Sequence, residues 1–190
     1  TYRTEASSKI WATGYDFPAI ENGWAKKDTP PDGTLASGQS FVFNLRRDKF
    51  QDKRVRQAIG MMFNFEWSNT TLFYGIYERI DSFWENSYLK AEGTPTDGEL
   101  AFLKPLADKL PAGVLDGPVV MAPASSERQL DRKNLRRASA MLDEAGWPVG
   151  DDGMRRNAAG ETLQVEILND SQAFDRVINP CLLYTSPSPR

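Results

Sequence analysis

Phe41-Val-Phe-Asn-Leu-Arg-Arg-Asp-Lys-Phe-Gln-Asp-Lys-Arg-Val-Arg-Gln-Ala-Ile59 changes period partway along. Its first part belongs to the apolar run Ser40 to Arg46, whose aromatic and β-branched residues predict a strand. Asp52 then stands where a helix cap belongs, and Val55, Ile59 and Met62 recur at i, i+4 and i+7 with Ala58 between them. That is the face a helix buries, so a helix is predicted from Lys53 to Phe63.

Working outward, a second helical stretch covers Glu66 to Phe73, with Trp67 and Leu72 expected inward and Gly75 ending it. On the N-terminal side, Ser7-Ser8 can cap a short helix carrying Ile10, Trp11 and Tyr15, which Pro18 limits. Thr29-Pro-Pro-Asp-Gly33 has the chemistry of a turn. Beyond residue 98 a helix from Glu99 to about Leu110 is expected, divided at Pro105, followed by a Pro/Gly/Ala-rich loop over 111–126. Asn134 to Glu144 reads as a helix burying Leu135, Ala138, Met141, Leu142 and Ala145, with Gly146 at the left-handed cap position and Trp147-Pro148 closing it. Two turns, 151–153 and 158–160, then flank a short strand 154–157. Thr162-Leu-Gln-Val-Glu-Ile-Leu168 alternates strictly, so a half-buried strand is expected with Leu163, Val165 and Ile167 inward. A last helix is expected from about Ser171, carrying Phe174, Val177 and Ile178. If the chain stops short of its packing partners, the apolar faces of Phe41–Arg46 and Phe174–Ile178 should be open to solvent.

The composition excludes several chemistries. There is no histidine, and the one cysteine is Cys181. A Ser-His-Asp triad is therefore impossible, and residues 1–180 can form no disulfide, thiolate metal site or cysteine nucleophile. Lys and Arg number 23 against 26 Asp and Glu, a net charge of −3, with the two signs interspersed. This is no nucleic-acid footprint. No apolar run approaches the roughly 20 residues a membrane helix needs. No catalytic pair, metal site or cofactor motif is singled out.

The decapeptide Cys181-Leu-Leu-Tyr-Thr-Ser-Pro-Ser-Pro-Arg190 back-translates to a string resembling the end of a transposase-type sequencing adapter. Residues 181–190 are accordingly expected to be non-native and to take no part in the fold.

Residues 79–97 hold the candidate site. Arg79-Ile-Asp-Ser-Phe-Trp-Glu-Asn-Ser-Tyr88, running to Gly93-Thr-Pro-Thr-Asp-Gly98, is too long for a plain connection and too aromatic for a disordered one. Such loops tend to carry function. The rings of Phe83 and Trp84 could equally be core plugs beneath the loop, the commoner use of large aromatics.

Phe41 to Ile59 resembles a segment of the family 5 extracellular solute-binding proteins, the peptide-binding subunits of ABC importers. There, a strand ending in Asn leads through a Phe and an Asp cap into an Arg-Val-Arg-x-Ala helix. Phe63-Asn-Phe-Glu-Trp67, the helix end Leu142-Asp-Glu-Ala-Gly-Trp147 and the hairpin Asp152-Gly…Gly160…Leu163-x-Val-x-Ile167 agree as well. Trp11-Ala-Thr-Gly-Tyr-Asp-Phe-Pro18 and Arg79…Ser82-Phe-x-Glu-Asn-Ser87 are similar to the oligopeptide and microcin C branch. Each block also has a structural reading: Arg54 and Arg56 as a salt-bridged helix face, Asn44 as the tidy end of a strand, Trp147 as a plug.

The resemblance implies an α/β (mixed α+β) class, as part of a two-lobed class II periplasmic-binding fold that closes on a peptide. Residues 1–47 would end the first lobe and 48–180 begin the second, with the crossing near Asn44 to Phe50. It further implies a non-enzymatic, cofactor-free binding protein, periplasmic or extracellular and monomeric when full length, handing peptides or peptide conjugates to ABC permease subunits. Arg79, Ser82, Phe83, Trp84 and Asn86 would line the second-lobe wall of the cleft. Two rival classes stay open, a carboxylate-based hydrolase and a chaperone-like interaction module.

Overall fold

The computed structural model describes residues 2–169, 175 and 177–179. Six α-helices follow one another among the described residues: α1 Ser8–Thr13, α2 Pro18–Glu21, α3 Lys53–Met62, α4 Phe65–Leu72, α5 Asp97–Leu103 and α6 Arg132–Glu144. Short 3-10 turns at Asp48–Phe50 and Lys104–Lys109 precede α3 and continue α5. The chain separates into two compact units, one within Thr1–Asp28, Phe41–Glu78 and Pro123–Arg190, the other formed by Thr29–Ser40 and Arg79–Ala122.

The first unit is built on the pairing of α3 with α6. Val55 and Ala58 on α3 and Ala138 on α6 are fully buried, and Leu142 and Trp147 complete the core with Phe50, Met61 and Met62. Alanine at 58 and 138 gives each helix a small residue in the core, which favours close approach of two backbones. Both helices start where a side chain supplies the missing acceptor. Asp52 accepts from the Arg54 N–H, and Asp131 from the N–H groups of Lys133 and Asn134. Gly146 takes φ of 85° just past α6, a conformation open to glycine at little cost.

Asn64 is the second fixed point. Its side-chain oxygen caps α4 by accepting from Trp67 N, while its amide donates to the carbonyls of Ser126 and Arg128 at 2.9 and 2.7 Å. Glu66 accepts from Ser125 N at 2.9 Å, and Asn134 donates to the Ala124 carbonyl at 2.8 Å. The 124–128 backbone, which lies in no helix, thus has several of its polar groups bonded by side chains of α4, α6 and their caps. In α4 the buried residue is Ser68, not Trp67 or Leu72, which are half-buried.

The strands expected at 40–46 and 162–168 do not form ladders. Among the described residues only two isolated bridges occur, Val149 with Arg155 and Arg156 with Thr162. A strand is stabilised by its neighbours' hydrogen bonds, and neither segment finds a neighbour along its length. The tight turns are present, with Gly153 and Gly160 at φ of 78° and 80°, and Leu163 N donates to the Arg155 carbonyl at 2.9 Å. Only the start of the alternating run is enclosed: Leu163 packs on the core, Ile167 is half-buried, and Val165 is exposed. Similarly, Phe43 packs against Phe50 at 5.3 Å between ring centroids while Val42 is 88% exposed. The expectation of open faces therefore holds for Phe41, Val42 and Leu45. It fails for Val177 and Ile178, which are buried; Phe174 lies outside the described residues.

Asp152, in the first turn of the hairpin, is held well below the ordinary carboxylate value. Arg156 donates to both its oxygens at 2.7 Å and Met154 N adds a third bond, lowering its pKa from 3.8 to about 2. A pKa lower in the folded chain makes this contribution to stability complete above about pH 4 and lost as pH falls through about 2. Asp152→Asn should abolish the part of the acid-induced stability loss that falls between those values. The check is urea unfolding followed as a function of pH. An unchanged acid limb would show that the pair contributes nothing to it.

Candidate functional site

The second unit contains the aromatic loop. It also contains α5 and the 3-10 turn that continues it, entered through a capping box in which Thr96 and Glu99 bond each other's backbone N–H. No helix or strand interrupts residues 76–96.

Side chains hold this loop in shape. Asp81 accepts from Ala122 N at 2.9 Å, and Glu85 accepts from Asp81 N at 3.2 Å. Glu85 also pairs with Lys90 at 2.6 Å, both side chains being well covered. Hydrogen bonding to Lys90 is the main cause that holds the Glu85 carboxyl below its ordinary value, and the same bond raises Lys90. Ser82 accepts from Trp84 N at 3.1 Å through its hydroxyl, closing a turn over residues 83–86. Asn86 ends that turn with φ of 61°, in the left-handed region.

The expected site residues fall in this loop but not into one pocket. Arg79 and Ser82 are half-buried at its base. Phe83 is 100% exposed and Trp84 49% exposed at its tip, with Tyr88 exposed a few residues on. Neither Phe83 nor Tyr88 plugs a core. Asn86 is exposed, but both of its amide hydrogens are committed to the carbonyls of Asp32 and Thr34. The arrangement offers exposed aromatic rings held on a braced turn, suited to stacking and apolar contact.

Asn44, Arg54 and Arg56 of the opening segment have structural partners. Asn44 accepts from the backbone and side chain of Arg46 at 3.2 Å. Arg54 forks onto Asp52 and donates to the Glu144 carbonyl at the end of α6, and Arg56 donates to the carbonyls of Phe50 and Gln51. Two shallow hollows lie in the first unit. One is lined by Val42 to Arg46; the other, of about 460 Å³, lies beside Arg47, Lys49 and Trp147. In the second, Lys49 already donates to the Gln164 carbonyl and Arg47 faces Glu166 at 3.7 Å. Among the described residues no cluster of three acidic or cysteine ligands could hold a metal, and no helix is long and apolar enough to cross a membrane.

Sequence reasoning missed Arg155, Asn64 and Asn134. Arg155 is 2% exposed and donates to Asp143, to the Trp147 carbonyl and to Ser139. In the sequence it is one of two adjacent arginines in a segment expected to be a short strand, which forms only isolated bridges, with nothing to say which one turns inward.

The model of the bacterial extracellular solute-binding proteins, family 5 middle, matches residues 4–180. The chain is 41% identical over 185 residues to the probable peptide-binding protein YejA of Agrobacterium fabrum, covering 94% of this chain and 29% of that protein. It is 33% identical over 178 residues to the uncharacterized protein YejA of Escherichia coli K12, with 94% and 29% covered. It is 35% identical over 168 residues to the peptidoglycan-binding protein YepA of Agrobacterium fabrum, with 88% and 27% covered. The chain thus spans less than a third of the length of these relatives. Since the match takes in the capped α3, the Asn64 cap, the α6 stop and the hairpin turns alike, the chain belongs to the family 5 bacterial extracellular solute-binding proteins.

Proposed function

We propose that this chain is part of the substrate-binding component of an ABC importer, which captures peptides or peptide conjugates outside the cytoplasmic membrane and delivers them to permease subunits. The observation that carries the reading is the family match over residues 4–180. It is supported by the names of relatives, one of which is a probable peptide-binding protein and another a peptidoglycan-binding protein. In this proposal 1–47 closes a first α/β lobe and 48–180 opens a second, and the 29–40 segment reaches over to the 79–122 segment, with which it forms one compact unit. The braced turn with Phe83 and Trp84 forms part of the second-lobe wall, with Arg79, Ser82 and Asn86 beside it.

Exposed aromatic rings suit this task, since an extended peptide gains affinity from its backbone and selectivity from pockets and stacking faces. The test uses a full-length family member bearing this segment. It is incubated with a randomised tetrapeptide pool supplemented with peptidoglycan stem peptides, and retained ligands are identified by mass spectrometry. One-to-one retention of a narrow set, with quenched tryptophan fluorescence and no cleavage, is the expected outcome. Cleavage of the peptides would establish a hydrolase instead. Broad binding to unfolded proteins without selection from the pool would establish the interaction module.

A further inference from the structure

The aromatic turn is held from outside its own stretch of sequence. Asn86 Nδ2 donates to the Asp32 carbonyl at 2.8 Å and to the Thr34 carbonyl at 2.7 Å, while Ala36 N donates to the Glu85 carbonyl at 3.2 Å. The 32–36 segment is itself fixed, since Asp32 accepts from both the backbone N–H and the hydroxyl of Thr34 at 2.9 and 2.8 Å. Those bonds lower the Asp32 pKa, the Thr34 N–H first. At its far end Gly38 lies so close to Ile80 that an added Cβ would stand 3.2 Å from that side chain. Pro30-Pro31-Asp32-Gly33 thus leads into a strap lying along the loop 80–86.

We propose that Asn86 is a positioning residue for the ligand-binding turn, clipping it to the 32–36 strap so that Phe83 and Trp84 are presented in a fixed orientation, and is not itself a ligand contact. This rests on the reading of the protein as a peptide binder. The chemistry accounts for the residue type. An amide NH2 has two hydrogens to divide between two carbonyls, which a carboxylate or hydroxyl cannot supply. Asparagine also tolerates the left-handed backbone, here at φ of 61°, better than other non-glycine residues. Both requirements meet at one position. With its NH2 committed to the strap, Asn86 retains no side-chain donor for a ligand. A clip that orders the turn before binding reduces the entropy that binding must overcome.

The experiment has two arms on the full-length protein. In the first, without ligand, hydrogen exchange is compared for wild type, Asn86→Asp and Asn86→Gly. Aspartate sets an acceptor against two carbonyls, and glycine keeps the backbone but removes both donors. Faster exchange at 32–36 and 83–87 in both variants is expected; unchanged exchange overturns the clip. In the second, the tetrapeptide most strongly retained in the selection above is titrated against wild type, Asn86→Asp, Trp84→Ala and the double variant. Losing two neutral hydrogen bonds that order the turn should weaken binding about tenfold. If Asn86 acts through the turn, that loss should vanish once Trp84 is absent. Losses that multiply in the double variant overturn the proposal, because they mark Asn86 as a direct ligand contact. If Trp84→Ala binds like wild type, the placement of the binding site fails rather than the clip. Retention of no peptide in the selection overturns the peptide-binding reading on which the proposal rests.

Discussion

Arg155→Met is expected to lower the unfolding free energy by about 2–3 kcal/mol. The Arg155 side chain is 2% exposed and its guanidinium bonds Asp143 at 2.7 Å, the Trp147 carbonyl at 2.5 Å and the Ser139 hydroxyl at 2.5 Å. It ties α6, the residue that plugs the end of α6, and the hairpin into one piece. Methionine fills much of the same volume, so the cost is mainly polar. The Trp147 carbonyl and Ser139 hydroxyl lose their donor, at about 1–3 kcal/mol for a buried group, while Asp143, with its side chain 52% exposed, is rehydrated. Relief of the arginine's own desolvation offsets part of this. Arg155→Lys should not rescue stability, because a single ammonium cannot span acceptors matched to a planar fork. The shift in the urea midpoint of the full-length protein measures both variants. A methionine variant as stable as wild type would mean that the buried cation orders the hairpin at no net gain.

Leu142→Ala should cost about 3 kcal/mol by the same measurement, within the roughly 2–5 kcal/mol seen when a buried leucine is truncated. Leu142 is 2% exposed in the core with the fully buried Val55, Ala58 and Ala138. Two helices meeting through alanines have little freedom to collapse into the space it would vacate. Val165→Ala is the contrast. Val165 alternates with polar residues as a core residue should, yet it is 43% exposed, and its truncation should change stability by less than about 0.5 kcal/mol. Equal losses at the two positions would contradict the burial pattern.

That contrast locates the limit of sequence reading here. Helical periodicity carries its own evidence, because an apolar stripe with a cap at one end and a glycine at the other satisfies most of its backbone internally. Accordingly α3 starts at the Asp52 cap and α6 stops before Gly146, as their sequences predict, whereas α6 opens at Arg132 on an Asp131 cap, two residues ahead of the expected Asn134. The division of the third long helical segment at Pro105 is equally local, since the proline ends α5 and opens the 3-10 turn. Alternation carries less. Ser40 to Arg46 and Thr162 to Leu168 have strand composition, but a strand's hydrogen bonds belong to its neighbours, and sequence alone does not name them.

The aromatic loop shows the same division at the site. Residues 79–97 are legible as a long loop rich in rings and polar side chains, a place where function collects. Whether its rings are plugs or presented faces was not legible, because burial is a property of what else arrives. The fold leaves Phe83 fully exposed and turns the Asn86 amide toward a strap more than 50 residues earlier. Nothing in the composition of the loop points to Asp32 or Thr34.

The sequence by itself determined the family, the capped start of α3, the glycine stop of α6 and the buried faces of both, the tight turns at Gly146, Gly153 and Gly160, and the exclusion of histidine and cysteine chemistry. Each rests on residue identity or on interactions within a few positions along the chain. Only the tertiary structure decided that Arg155 rather than Arg156 turns inward, that Asn64 and Asn134 fasten the 124–128 backbone, and that Asn86 reaches across to the 32–36 strap. Those outcomes depend on which carbonyls are left without donors once distant segments pack. The cost of burying such groups unpaired is met by side chains that short-range patterns cannot single out.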